Sequence, residues 1–365
     1  MLRFFVQNFT DWGWQKGVRK IGTADALRES LMHTHMNTRN QLTVAFLAAA
    51  SSISAYAQAA APAPALTFDG YAVATADCTQ TTPKTGATTS ASTMDVNAAK
   101  FGVHYTAGNV TAYASIFYAP SATTGTTNLL DAYATIDVGG GLSVTVGKFL
   151  SYLGYEAFDI PNMNQLTYGN GALIGGPIPA YHSGIKADYT VGNWGAGVAV
   201  VDSIYGPSLY KGDGNLSIPG LEGFVTYKGI KDTQIWFGIA DEVSTSTRVY
   251  DLWVQYNINK TDTIAVEALY KDTAGYDWLV EYVKALSSKV SLTSRVSGDG
   301  ATHWYSAANG YNATGGKATD VKLTLAPSYS FNDHFLVRAE VSYTSYSNYT
   351  ASSATYFGAQ SILKF

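Results

Sequence analysis

The segment Arg248–Lys271, RVYDLWVQYNINKTDTIAVEALYK, alternates between apolar and polar residues on both sides of a short turn. Before its turn, one face carries Tyr250, Leu252, Val254, Tyr256 and Ile258, and the other carries Asp251, Trp253, Gln255 and Asn257. After the turn at Asn259–Asp262, one face carries Ile264, Val266, Ala268 and Tyr270, opposite Glu267 and Lys271. This alternation with a period of two predicts two antiparallel strands with an apolar face and a polar face.

Segments with the same alternation cover the chain from Leu66 onward. About sixteen of them begin near residues 66, 94, 110, 129, 142, 180, 194, 218, 233, 248, 262, 275, 289, 318, 334 and 353. In the fourth, Leu129–Val138, the apolar face is predicted to hold Leu130, Ala132, Ala134, Ile136 and Val138. Short connections such as Gly139–Gly141 alternate with mostly longer, polar ones. This organisation predicts an all-β, antiparallel up-and-down transmembrane β-barrel with short periplasmic turns and longer outer loops.

The composition agrees with a membrane barrel and excludes several other classes. Only 14% of the residues are charged, against about 25% in soluble domains. No segment after residue 60 approaches the roughly 20 apolar residues that a spanning helix needs. The net charge of −4, without a basic block, gives no indication of nucleic-acid binding. A propeller would show an internal repeat of about 40–50 residues, and we find none.

The first 59 residues are predicted to lie outside the barrel. Residues 36–59 combine Arg39, a short apolar core at Leu42–Ala50 and the small-x-small motif Ala57–Ala59, which is typical of a secretory signal peptide. Residues 1–35 are interpreted as a non-native upstream extension, and a long leader with its own role is the alternative. The barrel domain is then 60–365.

The last residue is predicted to be an assembly signal. Phe365 closes an amphipathic segment whose outer face also holds Phe357, Ala359 and Leu363. A terminal aromatic residue on such a strand resembles the signal that the outer-membrane assembly machinery reads. With the signal peptide and the alternation, it predicts a multi-pass β-barrel in the lipid of a bacterial outer membrane.

Two motifs resemble a known family. In GKFLSYLGYEAFD the matching positions are Gly147, Lys148, Phe149, Leu153, Gly154 and Glu156. In PAYHSGIKADY they are Pro179, His182, Gly184 and Lys186. Both resemble the β-barrel porin-2 family, also known as OmpL-like; the rest of the chain resembles it only in its strand pattern. The resemblance implies an outer-membrane pore and does not supply a substrate.

The longest connection inside the barrel, Leu150–Pro179, follows the fifth predicted strand. In sixteen-stranded general porins the loop at this place folds inward and narrows the channel. By that analogy Glu156 and Asp159 are candidates for an acidic constriction, since charges act strongly in a narrow pore. The alternative is that both are solvated loop charges.

Charged residues of both signs fall on the predicted inward faces. The pore-lining candidates are Lys100, His104, Asp131, Asp137, His182, Lys186, Asp188, Arg295, Arg338 and Glu340. Their balance argues against a strongly anion-selective pore. No metal-ligand spacing and no nucleophile elbow is found, so we expect no metal, no cofactor and no enzymatic activity.

The function predicted from these patterns is passive diffusion of small hydrophilic solutes and ions. The alternatives are a substrate-selective channel, for example for sugars, which would need an aromatic ladder along the lumen, and a non-transport barrel with an enzymatic or surface-interaction role. The outward faces of the early strands are small and aliphatic, as at Val110, Ala112, Ala134 and Val146, whereas later strands carry Tyr, Trp and Phe. We therefore expect a homotrimer with the first five strands at the interface; a monomer of uneven composition is the alternative.

Overall fold

The computed structural model describes residues 63–120, 125–169, 178–206, 212–214, 219–272, 275–300, 319–347 and 350–365. The predicted upstream extension, 1–35, and the predicted signal peptide, 36–59, lie outside the described residues. Within the described ranges, no helix has the length and hydropathy of a membrane span.

Sixteen antiparallel strands form one closed barrel in the part of the chain that is described. They are β1 (Ala65–Pro83), β2 (Thr89–Ala107), β3 (Val110–Pro120), β4 (Gly125–Gly139), β5 (Leu142–Leu150), β6 (Tyr181–Val191), β7 (Trp194–Val201), β8 (Gly220–Tyr227), β9 (Thr233–Glu242), β10 (Thr247–Asn257), β11 (Asp262–Lys271), β12 (Gly275–Ala285), β13 (Val290–Asp299), β14 (Thr319–Asn332), β15 (Phe335–Ser347) and β16 (Ala351–Lys364). Each strand pairs with the next, and β1 also pairs with β16. The predicted fold class and strand count are confirmed.

The two ends of the barrel differ in their connections. At the short-turn end, the triple glycine Gly139–Gly141 takes φ angles of +92°, +63° and +88°, a left-handed conformation that other residues rarely adopt. The first part of β1 and the last residue of the barrel lie at the same end, where the backbone groups of Gly70 and Phe365 exchange two hydrogen bonds of 3.1 Å. The other end carries the longer connections. In outer-membrane barrels the short turns face the periplasm.

The barrel wall is apolar outside and charged inside, the reverse of a soluble protein. On the outer face, Leu252 and Val266 are each 45% exposed. Their neighbours along the strands, Asp251 and Glu267, are 0% and 1% exposed and point into the lumen. A lipid-facing wall around a polar lumen has this distribution.

A β-bulge changes the face of β4 and corrects one assignment. The register shifts between Ala114 and Ile116, so that Leu129 lies opposite Ile116 while Ala132 lies opposite Ala114. Leu129 is therefore 50% exposed and Leu130 is fully buried inside the barrel. The prediction that Leu130 shares the outer face with Ala132 was wrong because an extra residue in a bulge reverses the alternation.

Candidate functional site in the barrel lumen

The connection between β5 and β6, residues 151–180, is called the lumen loop below, and the part of it that the structure describes folds into the barrel. Its described part is 151–169 and 178–180. A short 3-10 helix, Ile160–Asn162, interrupts it. Its hydrogen bonds reach wall strands from β8 round to β15 and β2, so the loop lies against much of the inner wall.

The first part of the lumen loop donates its backbone N–H groups to carboxylates of the wall. The nitrogen of Tyr152 donates to Glu222 on β8 over 3.2 Å. The nitrogens of Gly154 and Tyr155 donate to Asp251 on β10 over 2.8 Å and to Glu267 on β11 over 2.7 Å, respectively. These carboxylates therefore satisfy loop backbone groups that β5 and β6 cannot pair with.

The later part of the lumen loop is held mainly through its carbonyl oxygens. Arg338 on β15 donates to the carbonyls of Met163 and Gln165 over 2.5 and 2.9 Å. Arg295 on β13 donates to the carbonyl of Tyr168 over 3.0 Å. Basic wall residues thus hold the carbonyl groups of the later part, whereas acidic wall residues hold the backbone nitrogens of the first part.

Glutamate 340 on β15 adds acceptors to this later part. Its Oε2 accepts the backbone nitrogens of Leu166 and Thr167 over 2.7 and 2.9 Å. Its neighbour on β14, Lys322, donates to the carbonyl of Tyr168 over 3.1 Å. The predicted pore-lining residues Arg295, Arg338 and Glu340 therefore anchor the loop.

Glu156, one of the two predicted constriction acids, lies inside this anchoring network. Its carboxylate forms an ion pair with Arg295, and the two side chains are 1% and 0% exposed. It also accepts the backbone nitrogen of Gly169 over 2.7 Å. Glu156 thus joins the loop to β13 and offers little surface to a passing ion.

Asp159, the other predicted constriction acid, keeps 33% of its side chain exposed. Its oxygens accept hydrogen bonds from Lys100 Nζ over 3.0 and 3.1 Å, and from the hydroxyl of Tyr71 over 3.1 Å. Lys100 also lies 3.3 Å from Asp131. The structure thus brings three of the predicted residues into one partly exposed group of mixed charge.

The two family-like motifs lie side by side on β5 and β6. Gly147 pairs with Gly184, and Phe149 pairs with His182. Gly147 has a φ angle of +133°, and a Cβ atom there would lie 2.2 Å from the carbonyl oxygen of Ala132. His182 is fully buried with its Nε2 3.5 Å from Glu222, so it supports the base of the loop and does not line an open passage.

Lys186 and Asp188 on β6 contact the start of the lumen loop. The Nζ atom of Lys186 lies 4.9 Å from the ring centroid of Tyr152, within the range of a cation–π contact. The hydroxyl of Tyr152 donates to Asp188 over 2.7 Å. Burial, together with this hydrogen bond, raises the pKa of Tyr152 above its ordinary value, so its hydroxyl stays protonated as a donor. Burial likewise raises the pKa of Tyr155.

His104 and Asp137 lie farther from the lumen loop. His104 lies 3.2 Å from Asp69, and their side chains are 44% and 51% exposed; its ring stacks on Tyr113 at 4.1 Å. Asp137 is exposed and accepts the backbone nitrogen of Gly139 over 2.8 Å in a short turn. The structure therefore places His104 on an open part of the inner wall and Asp137 at the barrel rim.

Three inward aromatic residues on neighbouring strands form a continuous row, here called the aromatic row: Phe224 on β8, Trp236 on β9 and Trp253 on β10. The ring of Trp236 lies 5.9 Å from Phe224 and 5.7 Å from Trp253, with interplanar angles of 13° and 8°. From the lumen loop, Tyr152 contacts Phe224 and Tyr155 contacts Trp253 at 4.7 and 5.6 Å. The inward face of each aromatic residue was readable from alternation, but their alignment depends on strand register.

The connection between β7 and β8 also turns inward at its start. The backbone nitrogens of Ile204 and Tyr205 donate to Glu242 over 2.7 and 3.1 Å. Lys271 Nζ lies 3.4 Å from the ring centroid of Tyr205.

Among all the residues that the structure describes, no group of three or more His, Cys, Asp or Glu residues is placed to hold a metal ion.

Several solved structures share this architecture. The chain is 12% identical to the anion-selective porin from Comamonas acidovorans, with a TM-score of 0.57 over 83% of this chain and 100% of that one. The chain is 11% identical to the outer membrane channel DcaP of Acinetobacter baumannii, with a TM-score of 0.60 over 83% of this chain and 97% of that one. It is also 11% identical to Pseudomonas putida OprB, with a TM-score of 0.60 over 82% of this chain and 94% of that one. These identities are low, so the likeness shows the fold.

The comparison with curated protein sequences found no match. The family model described as "Putative beta-barrel porin-2, OmpL-like" matches residues 65–365, the whole of the observed barrel. This family and a sixteen-stranded barrel with porin neighbours point to a bacterial outer-membrane β-barrel, and to a channel rather than an enzyme. The chain belongs to the putative beta-barrel porin-2, OmpL-like family.

Proposed function

We propose that this protein is a passive diffusion channel for small hydrophilic solutes and ions across the outer membrane. The observation that carries the proposal is a closed sixteen-stranded barrel with a charged inner wall and a loop held inside it. A barrel of this size encloses a lumen wide enough for water. The lumen loop then narrows the passage through that lumen.

The open passage is proposed to run along the inner wall of β1 to β4. There the side chains of His104 and Asp69 are 44% and 51% exposed. The wall from β8 to β15, in contrast, is covered by the lumen loop and holds buried charges such as Glu267 and Arg295. Solutes would therefore pass beside the loop, between its edge and the early strands.

The narrowest charged point of this passage is proposed to be the pair formed by Asp159 and Lys100. Asp159 lies on the loop and Lys100 on β2, with 3.0 Å between their charged atoms. Because both signs are present at the same place, we expect weak preference between small anions and cations. Glu156 contributes to this constriction only by fixing the loop to Arg295.

The selectivity of single-residue variants tests this placement. In planar bilayers with a salt gradient, Lys100→Gln should shift the reversal potential toward cation preference, and Asp159→Asn should shift it toward anion preference. The control is Arg248→Gln, which removes a charge at an exposed side chain paired with Asp241 on the outer surface. Equal shifts in all three variants, or none in the first two, would contradict the proposed passage.

A further inference from the structure

A cavity of about 410 Å³ opens at the short-turn end of the barrel, close to the aromatic row. Its lining is dominated by polar side chains and turn backbone. The residues are Asn193, Lys228, Gly229, Ile230, Lys231, Asp232, Thr233, Gln234, Gln255 and Asn257. This volume falls within the range of small-molecule sites, roughly 300–1,000 Å³.

The cavity and the aromatic row are adjacent along the same two strands. Gln255 pairs with Gln234 across β10 and β9, and Trp253 pairs with Trp236 one inward position deeper into the lumen. The hydroxyl of Tyr155 on the lumen loop lies 3.5 Å from Gln255 Oε1. The lining residue Gln255 therefore lies beside both the aromatic row and the lumen loop.

Within the row, Trp253 lies close to the cavity, one inward position beyond the lining residue Gln255 on the same strand. Trp253 is partly exposed, whereas Trp236 is only 6% exposed. Trp236 is held between Phe224 and Trp253 by nearly parallel stacking, and its ring covers the inward Gly238, where a Cβ atom would lie 2.2 Å from the indole. Stacking on Trp236 therefore helps to fix the orientation of the Trp253 indole.

The chemistry of this place fits a neutral, polyhydroxylated ring. The C–H face of a pyranose is apolar and packs on an aromatic side chain, while its hydroxyls need partners that both donate and accept. Asn and Gln side chains carry both kinds of group, and Gln234, Gln255 and Asn257 supply them on the wall beside Trp253. The charged groups in the lining, Lys228, Lys231 and Asp232, include both signs and do not favour an ionic solute.

We propose that this cavity is a saccharide-binding subsite on the periplasmic side of the constriction. The inference rests on the proposed function, because a solute can reach the subsite in transit only if the barrel conducts. It makes the channel selective in one respect: neutral saccharides of one to three rings dwell beside Trp253, while salts and small ions pass without binding. An uncharged polymer of similar size lacks the rigid ring face and should not dwell there.

The test is current block of the purified protein in planar bilayers by glucose, maltose and maltotriose. Saccharide added on the periplasmic side should reduce the current in a saturable way. The block is expressed as a fraction of each variant's own open current. Trp253→Ala should then raise the half-blocking saccharide concentration at least tenfold over the wild type, and Gln255→Ala should raise it less. Trp253→Phe keeps an aromatic face and should retain most of the block. Trp194→Ala is the matched control, because Trp194 lies at the same end of the barrel but is 53% exposed on the outer face.

A second measurement covers the case in which Trp253→Ala does not fold. Titration of the wild-type protein with maltose should change its intrinsic tryptophan fluorescence saturably, and a polyethylene glycol of matched size should leave it unchanged. A conducting channel without saccharide block, or with block equally strong in Trp253→Ala, overturns the subsite alone. A folded barrel that conducts no current overturns the proposed function instead.

Discussion

Glycine at position 147 brings the backbones of β4, β5 and β6 into close contact. It lies opposite Gly184 on β6, and on its other side an added Cβ atom would lie 2.2 Å from the carbonyl oxygen of Ala132 and 2.7 Å from Tyr133 Cα. Its φ angle of +133° also disfavours any residue with a side chain. Because backbone atoms cannot move aside as a flexible side chain can, this position requires glycine for two separate reasons.

We predict that Gly147→Ala strongly destabilises the barrel. The strain of the φ angle costs about 1–3 kcal/mol, and the steric overlap adds roughly 1–3 kcal/mol. The measurement is the urea concentration at the unfolding midpoint in detergent, followed by tryptophan fluorescence. Gly140→Ala is the control, because Gly140 has a φ of +63° but nothing within 4 Å of an added Cβ. Similar midpoints for the two variants would show that backbone contact at Gly147 is unimportant.

At the level of single residues, the sequence predicted side-chain direction well and side-chain partners poorly. Alternation assigned Arg295, Arg338 and Glu340 to inward faces, and their side chains are buried in the structure. It could not show that they bond to the lumen loop, since their partners lie more than 120 positions away along the chain. It failed for Leu130 because a bulge in β3 and β4 leaves no mark in the alternation.

At the level of elements, the lumen loop depends on two kinds of wall residue. Carboxylates on β8, β10 and β11 hold its first part through backbone nitrogens. Guanidinium groups on β13 and β15 hold its later part through carbonyl oxygens. A hydrogen bond to a charged group contributes about 1.5–3 kcal/mol, so several of them fix the loop more firmly than contacts between neutral groups would.

We predict that Arg338→Met loosens the later part of the loop. The substitution removes the donors to the carbonyls of Met163 and Gln165 while preserving much of the side-chain volume. The open-channel current should then show several-fold larger variance, because the loop edge moves within the passage. Arg248→Met removes an exposed arginine paired with Asp241 and should leave the current noise unchanged, since exposed ion pairs contribute little.

Two results would contradict the prediction for Arg338→Met. If Arg338→Met gave the same current variance as the wild type, the loop would be held without its arginine contacts. If Arg248→Met increased the noise as much as Arg338→Met did, the effect would reflect a general loss of charge rather than release of the loop.

The strand boundaries were predictable because lipid and water impose opposite demands on alternate residues. β3, β5, β7, β9, β11 and β12 begin at the predicted residues. β2 begins at Thr89 in the structure, whereas the prediction placed its start near residue 94. The prediction missed the first residues of β2 because they are polar and exposed and show no alternation of burial. The aromatic row was not predicted as a unit, because alignment across β8, β9 and β10 depends on turn geometry and register.

At the level of the whole molecule, the outer surface is uneven. Around β3 to β5 it carries small or aliphatic residues, and Ala134 lies between Ala112 and Val146 in neighbouring strands. Elsewhere, large aromatic residues such as Tyr270, Tyr276 and Phe357 are about half exposed on the outer face. A flat surface of small side chains suits close packing between barrels, and an aromatic surface suits lipid.

We predict a homotrimer that assembles through the early strands, with the small side chains of β3 to β5 at the centre of the interface. The expected interface of the first five strands is narrowed in this way because β1 and β2 expose Phe68, Phe101 and Tyr105 on the outer face. Multi-angle light scattering in mild detergent should give three times the mass of one barrel. Ala134→Trp should convert the trimer to single barrels, because the indole prevents close approach. Leu323→Trp, at a 51% exposed position on β14, should leave the trimer intact. A wild-type protein with the mass of one barrel would contradict the prediction.

Single-channel recording in planar bilayers shows whether this barrel conducts ions past a fixed loop. We expect the purified, folded protein to insert in discrete steps of constant, ohmic conductance. That conductance should lie below the value for an unobstructed lumen of sixteen strands, because the loop held by Glu267, Arg295 and Arg338 occupies part of it. A folded protein that inserts without any conductance, or that conducts like an unobstructed barrel, would contradict the account.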